Sequence, residues 1–262
     1  EMTYKRIYGL LYKCDECGFV WLANHPKQEV LDVFYKQSKP MSTWADIKTV
    51  GLDNQRQRDK YEMFWYFIKT NNLKSVLDVG SGTGFFIHGI PCSVHAMGIE
   101  VNEDNSRHCS FPVVRKSSDI NRKFDVVSAF GILEHLKDPR EFIDEYSKFI
   151  NESGYFFVIV PNIDSAAFEI LGDSNCTISP THLSYFSINT LIRLFSECGF
   201  SFIAHKTKET EYKAICRKLT GINPYSKVEI TGNPYLKEES ILKNNQGAKL
   251  CCRFQKGQKC LT

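Results

Sequence analysis

The stretch SVLDVGSGTGFFIHG, residues 75–89, joins a short apolar segment to a turn with three glycines and then to an aromatic pair. Its first residues are almost continuously apolar, which predicts a strand that is buried on both faces. Gly80, Gly82 and Gly84 permit positive φ angles and let another group approach the backbone closely. The stretch therefore predicts a strand, a ligand-binding turn and a helix, in that order.

Apolar segments of this kind alternate with helical patterns along much of the chain. The alternation predicts an α/β fold, in which a mostly parallel sheet carries helices on both faces. Ligands of such sheets bind outside the carboxyl ends of the strands, where the three glycines fall. The strand candidates are SVLDVG (75–80), HAMGIEV (95–101), FPVV (111–114), FDVVSAF (124–130), YFFVIVP (155–161), FSFIAHK (200–206) and AKLCCRF (248–254).

The chain divides by pattern into an amino-terminal arm and one larger domain. Residues 1–50 form the arm, with a single Cys-x-x-Cys knuckle and a polar linker, and residues 51–262 form the domain. The segment 208–246 within the domain has no pattern that assigns it to an element. Helical spacing predicts four helices, within KQEVLDVFYKQ (27–37), NQRQRDKYEMFWYFIKTNN (54–72), PREFIDEYSKFI (139–150) and SINTLIRLFSEC (187–198).

Composition is ordinary for a soluble globular protein, with 42 % hydrophobic and 24 % charged residues. No apolar run approaches the ~18 residues of a membrane span, and no signal-peptide pattern opens the chain. We therefore expect a cytoplasmic protein without a membrane span. Residues 206–262 carry 12 Lys and Arg against 5 Asp and Glu, but without the aromatic interleaving of a nucleic-acid-binding arm.

The glycine spacing bears on which ligand the turn holds. A dinucleotide fingerprint is Gly-x-Gly-x-x-Gly, and its third position would fall on Phe85, which would crowd the helix against the strand. The observed spacing is Gly-x-Gly-x-Gly. Glu100 ends the second strand, where a carboxylate can accept from both hydroxyls of a ribose. This arrangement needs a nucleoside but no pyrophosphate.

Two further carboxylates fall at strand ends or beneath the turn. Asp119 follows the third strand candidate, where it can accept from an adenine amine while Ile120 covers the ring. Asp78 lies in the first strand, below the turn, where it can organise the turn's amides. Each of these residues also has a structural interpretation, as a turn residue or a strand-end residue on the surface.

Five motifs in order resemble those of class I S-adenosylmethionine-dependent methyltransferases: LDVGSGTGFF, GIEVN, SSDI, FDVVSAFGILEHLKDP and GYFFVIVPN. The stretch THLSYFSINTLIRLFSECGF is similar to one in the ubiquinone-type O-methyltransferase branch. The resemblance covers about residues 55–205. It implies a Rossmann-like, doubly wound sheet of seven strands with the last strand antiparallel, and S-adenosylmethionine as cofactor. The cofactor-binding residues it implies are Asp78, Gly80, Ser81, Gly82, Gly84, Glu100, Val101, Asp119, Ile120 and Phe130.

Methyl transfer from a sulfonium is an in-line displacement, so the enzyme must align the acceptor and exclude water. A general base helps only where the acceptor has to lose a proton. His135 follows the fourth strand and His182 the fifth, so either can serve as that base. Glu134 is a weaker candidate or an orienting partner. The alternative is that both histidines are structural and bonded to backbone.

The amino-terminal knuckle, Cys14 and Cys17, supplies half of a structural zinc site. Relatives in this branch often carry a preceding Cys-x-x-Cys, which this sequence lacks. His25 is a single possible substitute. We do not expect bound zinc here.

The favoured function is an enzyme that methylates a small-molecule acceptor, such as a sugar, a quinone precursor or another metabolite. One alternative is a regulatory protein that holds the cofactor without transferring methyl. Another is a nucleic-acid or protein methyltransferase, but the Asn/Asp-Pro-Pro-Tyr signature of base-amino methyltransferases is absent. The stretch of sequence most similar to that signature is VPN, which ends at Asn162. The acceptor, its attacking atom and the oligomeric state do not follow from the sequence.

Overall fold

The computed structural model describes residues 2–6, 9–37, 54–175, 177–208, 211–218 and 250–253. Within this part of the chain two compact units are distinguished, which interleave along the sequence. The first unit holds residues 1–25, 131–145 and 158–262. The second, which contains the glycine turn, holds residues 26–130 and 146–157.

The described elements follow the predicted alternation. The strands are β1 (Met2–Arg6), β2 (Gly9–Lys13), β3 (Val20–Leu22), β4 (Ser75–Val79), β5 (His95–Ile99), β6 (Val113–Val114), β7 (Phe124–Phe130), β8 (Ile150–Pro161), β9 (Ser184–Tyr185), β10 (Phe200–Lys208), β11 (Glu211–Lys218) and β12 (Leu250–Arg253). The helices are α1 (Gln28–Gln37), α2 (Asn54–Thr70), α3 (Phe85–His88), α4 (Glu103–Ser106), α5 (Pro139–Ser147), α6 (Ala166–Leu171) and α7 (Ile188–Glu197).

Strand β4 is central in the second unit and is flanked by β5 and β7, both parallel to it. All five of its residues are buried, as expected for a strand covered on both faces. Val79, its last residue, pairs with Ile99 of β5 and with Ala129 of β7. The carboxyl ends of three strands therefore lie side by side, and the segments that follow them leave the sheet at one edge.

Helix α2 shows why the amphipathic spacing was informative. Phe64 and Ile68 are buried, with exposed fractions of 0 % and 1 %. Tyr61 and Trp65, which lie on the same apolar stripe of the helix, are half-buried. The Trp65 indole donates a hydrogen bond to the Phe86 carbonyl at 2.7 Å, so the helix is fixed to the chain just after the glycine turn.

The larger sheet has the described strand order β12-β10-β11-β8-β7-β4-β5-β6. The predicted fold class, a mostly parallel Rossmann-like sheet with antiparallel pairing at its end, is confirmed. Both β11 and β12 pair with β10 in the antiparallel sense. Strand β11 was not predicted, because it comes from the unassigned segment and has only three consecutive apolar residues, Ala214, Ile215 and Cys216, between charged ends. Those three side chains are buried.

The first unit also contains a small second sheet in the order β1-β2-β3-β9. Its strands pair antiparallel, and β3 pairs with β9 through Val20 and Tyr185. The amino-terminal knuckle lies in the turn between β2 and β3. The arm is therefore held by a strand that comes late in the sequence.

Several sequence predictions fall on residues beyond this description. These are the polar linker, most of the unassigned segment and the predicted domain boundary at residue 50. The helices that are described include none with the length and apolar character that crossing a membrane requires.

Candidate functional site

The glycine loop, residues 80–84, leaves the carboxyl end of β4 with left-handed backbone at each of its glycines. Their φ angles are 71° at Gly80, 56° at Gly82 and 79° at Gly84. The amides of Gly80 and Ser81 both donate to the Ile99 carbonyl, at 2.8 and 3.0 Å. The loop is thus attached to the end of β5 by its own backbone.

The glycines are required for different reasons. A Cβ atom at Gly84 would lie 2.5 Å from the Phe111 ring and 3.1 Å from the Cys109 sulfur, so internal packing excludes a side chain there. A Cβ atom at Gly82 would meet none of the described residues within 4 Å. Gly82 therefore borders open space, and its bare backbone is available to a ligand.

Glu100, directly after β5, reaches back to the glycine loop. Its exposed fraction is 7 %. Oε2 accepts from the Gly82 amide at 2.8 Å, and Oε1 accepts from the Asn102 amide at 2.7 Å. Burial raises the pKa of Glu100, although these hydrogen bonds act in the opposite direction. A buried carboxylate thus shapes the loop and carries negative potential at its edge.

Asp78 does not organise the loop amides, contrary to the sequence prediction. The amides of Gly80 and Ser81 donate to the Ile99 carbonyl, that of Gly82 to Glu100 and that of Gly84 to the Ser81 carbonyl, whereas Asp78 accepts from the Ser128 hydroxyl of β7 at 2.7 Å. The reason is strand geometry: Asp78 pairs with Ser128 in the parallel ladder, so the two side chains meet inside the sheet. Burial, and the nearby Glu100 charge to a lesser degree, raise the pKa of Asp78 to about 7.

Ser81 has the chemistry of a ligand-binding group. Its side chain is 8 % exposed, and its Oγ has no hydrogen-bond partner among the described residues. A buried hydroxyl without a partner costs about 1–3 kcal/mol. A polar ligand atom at the loop would recover that free energy. Together with Gly82, this hydroxyl is a feature of the loop that agrees with the cofactor the resemblance implies.

The other predicted cofactor residues lie in the same unit. Ile120 is buried, whereas Asp119 is exposed and ends a short 3-10 helix. Val101 is 43 % exposed, and its carbonyl accepts from Arg115 at 3.0 Å. Phe130, the last residue of β7, is half-buried.

Phe130 belongs to an aromatic cluster below the glycine loop. Its ring centroid lies 4.7 Å from that of Phe86, 4.9 Å from Phe64 and 5.2 Å from Tyr61. Phe86 immediately follows the loop in α3. The cluster therefore supports the loop from beneath, which accounts for the aromatic pair in the opening stretch.

His135 and His182 are brought together within the first unit. Their ring centroids are 4.7 Å apart with an angle of 76° between the planes. His135 Nδ1 is 2.7 Å from the Thr181 carbonyl, and the Leu183 amide donates to the Glu134 carbonyl at 2.6 Å. The sequence placed each histidine after a strand, at one edge of the predicted sheet, and the structure adds that their rings lie next to each other.

Both histidines are held in the neutral form. Burial lowers the pKa of His135 below its ordinary value, and the Thr181 carbonyl opposes this. Burial, with repulsion from His135 as the second cause, lowers the pKa of His182 to about 4. Each ring therefore carries a nitrogen lone pair at neutral pH.

Two residues that support the site, Ser128 and Asn102, were not found from the sequence. Ser128, the partner of Asp78, looks like one small residue inside an apolar strand, and only the register with β4 reveals it. Asn102 supports Glu100, and its side chain also caps α4 by accepting from the Asp104 and Asn105 amides. The pattern Asn-Glu-Asp, a helix start signal, marks this cap in the sequence.

The amino-terminal knuckle is formed as a turn. The Gly18 amide donates to the Cys14 carbonyl at 2.9 Å, and the Cys14 amide donates to the Phe19 carbonyl at 2.8 Å. Hydrogen bonds from Cys17 and Glu16 lower the pKa of the Cys14 thiol. Within the described residues, the group that could hold a metal ion lies elsewhere, at Glu134, His135 and His182.

Comparisons with known proteins agree with this geometry. Residues 52–205 match the family model described as a methyltransferase domain. The ubiquinone biosynthesis O-methyltransferase of Glaesserella parasuis serovar 5 is 23 % identical over 173 residues, which cover 56 % of this chain and 70 % of that protein.

Solved structures share the fold at low identity. Magnesium protoporphyrin IX methyltransferase from Synechocystis PCC 6803, with bound SAH, has a TM-score of 0.56 and 14 % identity over 74 % of this chain and 100 % of that one. The plantazolicin methyltransferase in complex with SAH has a TM-score of 0.54 and 12 % identity over 72 % of this chain and 94 % of that one.

Proposed function

Because the chain belongs to the methyltransferase domain family and is an S-adenosylmethionine-dependent methyltransferase, we propose that its acceptor is a small molecule. The proposed cofactor site rests mainly on the geometry of the glycine loop. Among the described residues, the loop combines open space at Gly82 with a Ser81 hydroxyl that has no hydrogen-bond partner and with the buried carboxylate of Glu100. These features fit a nucleoside with hydroxyl groups on its ribose and a short amino-acid chain that carries polar groups.

The chain's own residues have separate roles in this proposal. The backbone at Gly82 and the Ser81 hydroxyl would bind the amino-acid part of the cofactor, and Glu100 would accept from the ribose. Ile120 would cover the adenine, with Asp119 accepting from its amine. When bound, S-adenosylmethionine supplies a methyl group on a sulfonium, which needs no protonation to leave. The protein must position the acceptor and exclude water.

His135 and His182 are proposed as the groups that take a proton from a hydroxyl acceptor. Burial lowers the pKa of both rings, so each is neutral and has a lone pair for a proton, while the lowered pKa also makes each ring a weaker base. Replacing either histidine by Ala should lower turnover while leaving cofactor affinity unchanged. Full turnover in both variants would exclude them from this role.

The class of acceptor is proposed from the kind of protein that this chain resembles. Its relatives are named for ubiquinone biosynthesis, magnesium protoporphyrin IX and plantazolicin. The sequence supports the same class, since its basic segment lacks the aromatic interleaving of a nucleic-acid arm.

The test uses the purified chain, S-adenosylmethionine with a labelled methyl group and fractions of a metabolite extract. Label that enters the small-molecule fraction supports the proposal. Label that enters nucleic acid or protein instead overturns the acceptor class, and binding without any transfer indicates a regulatory protein. Gly82→Val is the matched control, because it should stay folded and lose transfer.

A second measurement checks the cofactor independently of the acceptor. S-Adenosylmethionine and its demethylated product should raise the melting temperature of the chain, since ligands that bind only the folded state stabilise it. NAD should not. Stabilisation by NAD alone would contradict the assignment of the loop.

A further inference from the structure

A cluster of three potential ligands occupies the segment after β7 and the loop before β9, both within the first unit. Glu134 and His135 end a short 3-10 helix, Leu133–His135. His182 lies just before β9, and the bond from the Leu183 amide to the Glu134 carbonyl fixes the two segments together. One ligand atom from each of the three residues lies within 4.8 Å of the others.

The hydrogen bond of His135 determines which of its nitrogens carries the lone pair. Nδ1 lies 2.7 Å from the Thr181 carbonyl oxygen, which can only accept. Nδ1 is therefore protonated in the neutral ring, and Nε2 holds the lone pair. Metal-bound histidines typically donate their other nitrogen to a carbonyl or carboxylate in this way.

His182 presents the complementary case. Its Nδ1 is buried and has no hydrogen-bond partner among the described residues. The ring also bonds to the Thr177 backbone, and because Nδ1 has no partner among the described residues we assign that bond to Nε2. The lone pair then sits on Nδ1. A buried nitrogen lone pair without a donor is expensive unless another group uses it.

Glu134 contributes charge to the cluster. Its side chain is 4 % exposed, so its carboxylate lies in a poorly solvated environment. A buried carboxylate is stabilised by a nearby cation. Two neutral imidazoles and one carboxylate together would leave a divalent ion with a single net positive charge.

The ligand types select the kind of ion. Imidazole nitrogen suits Zn²⁺, Fe²⁺, Co²⁺ and Ni²⁺, whereas Mg²⁺ and Ca²⁺ prefer oxygen ligands alone. Ligand atoms of a tetrahedral site lie about 3.4 Å apart when each is about 2.0–2.1 Å from the metal. The three residues already place one potential ligand atom each within 4.8 Å of the others, so the ion would draw them closer together.

We propose that Glu134, His135 and His182 form a three-ligand site for a divalent first-row transition-metal ion, with one coordination position open. The ligands are a Glu134 carboxylate oxygen, His135 Nε2 and His182 Nδ1. An oxygen or nitrogen of a small molecule, or water, completes the coordination. Metal binding at this site can be measured without methyl transfer, so the two proposals can be tested separately.

Coordination and proton acceptance use the same two lone pairs. In a chain loaded with metal, the imidazoles position the ion and do not act as bases. Comparison of turnover in the metal-free and the loaded chain therefore shows which role the histidines have in catalysis.

The experiment titrates tag-free, chelator-treated protein with Co²⁺ and follows the visible absorption of the four-coordinate ion. Calorimetry with Zn²⁺ and Mg²⁺ gives affinity and stoichiometry. We expect one Co²⁺ or Zn²⁺ per chain, with Zn²⁺ bound at least about 100-fold more tightly than Mg²⁺. His182→Ala and Glu134→Gln should each weaken binding by at least about 10-fold.

Two controls are matched to this site. His25→Ala removes an exposed histidine of the same unit, and Cys14→Ser with Cys17→Ser removes the thiol pair; both should leave binding unchanged. Circular dichroism of the metal-free variants establishes that they fold, and His182→Asn replaces His182→Ala if the latter does not. Undetectable binding overturns the proposal, as does binding that persists in the His182 variant or disappears with the cysteine pair. Intact metal binding without methyl transfer overturns only the proposed function.

Discussion

The Gly82 amide donates to the Glu100 carboxylate over 2.8 Å, and this bond joins the glycine loop after β4 to the residue that directly follows β5. The other oxygen of Glu100 accepts from the Asn102 amide. One carboxylate therefore fixes the loop backbone and supplies the negative charge of the proposed cofactor site. The relationship explains how two motifs 18 residues apart act as a single element.

The Glu100→Gln variant should weaken cofactor binding and destabilise the chain. A glutamine has one accepting oxygen, so its NH₂ group would face one of the two amides as a second donor. An unsatisfied buried amide costs about 1–3 kcal/mol. We expect the affinity for S-adenosylmethionine, measured by calorimetry, to fall by at least about tenfold. The matched control is Glu103→Gln, which changes an exposed ion pair with Arg115. Equal behaviour of the two variants would contradict the role of Glu100.

Substitutions at Gly82 and Gly84 should separate ligand binding from packing. Gly82→Ala places a methyl group in open space, so it should cost about 1 kcal/mol in left-handed strain and reduce cofactor affinity. Gly84→Ala drives a methyl group into the Phe111 ring, so it should lower the free energy of unfolding considerably more. Denaturant titration and calorimetry measure the two effects.

Gly18→Ala is the control for strain alone. Gly18 has a φ of 73°, and a Cβ atom there would make only an ordinary contact of 3.8 Å with Lys13. Phe111→Leu in the Gly84→Ala background should recover part of the lost stability. The packing explanation is wrong if Gly84→Ala is no less stable than Gly18→Ala.

Asp78 should make the chain less stable as the pH rises. Its pKa is about 7 in the folded chain against 3.8 when unperturbed, so between these values the folded state holds a proton that the unfolded state has lost. The free energy of unfolding therefore falls across that window, by up to about 4 kcal/mol from this group. Asp78→Asn keeps an acceptor for Ser128 and removes the titration. Denaturation from pH 4 to 8 should show a smaller fall in the variant; parallel curves would rule out the raised pKa.

Ser187→Ala should destabilise the first unit by about 1 kcal/mol, because it removes an N-cap. The Ser187 hydroxyl accepts from the Thr190 amide at 3.1 Å, and the Thr190 hydroxyl accepts from the Ser187 amide at 2.9 Å. Ser187→Asp retains a capping side chain and should recover most of the loss. Chemical denaturation measures both, and a Ser187→Ala variant as stable as the original chain would show that the cap contributes nothing.

The fold class could be predicted because its signals are local. The buried strand before Gly80 and the amphipathic spacing of α2 each depend on residues within a few positions of one another. Strand β11 gave no such signal, because charged residues flank its three buried ones and its pairing with β10 supplies the rest.

The sequence predicted individual residues of the site but not the hydrogen bonds between them. Gly82 and Glu100 were identified from their positions at strand ends, but the hydrogen bond between them depends on the register of β4 and β5. Asp78 was predicted to bond to the loop amides, whereas the register of β4 and β7 places its carboxylate beside the Ser128 hydroxyl, from which it accepts a hydrogen bond. A sequence shows which strand a residue ends, but not which side chain faces it.

The sequence alone determined that this chain alternates strands and helices and carries a bare glycine turn before an acidic strand end. These properties follow from periodicity and from the steric freedom of glycine, which act over short distances along the chain. Only the tertiary structure decided that Gly82 borders open space while Gly84 is packed against Phe111, and that Glu134, His135 and His182 share one cluster. Those contacts join residues far apart in sequence, and their geometry is set by strand register and packing.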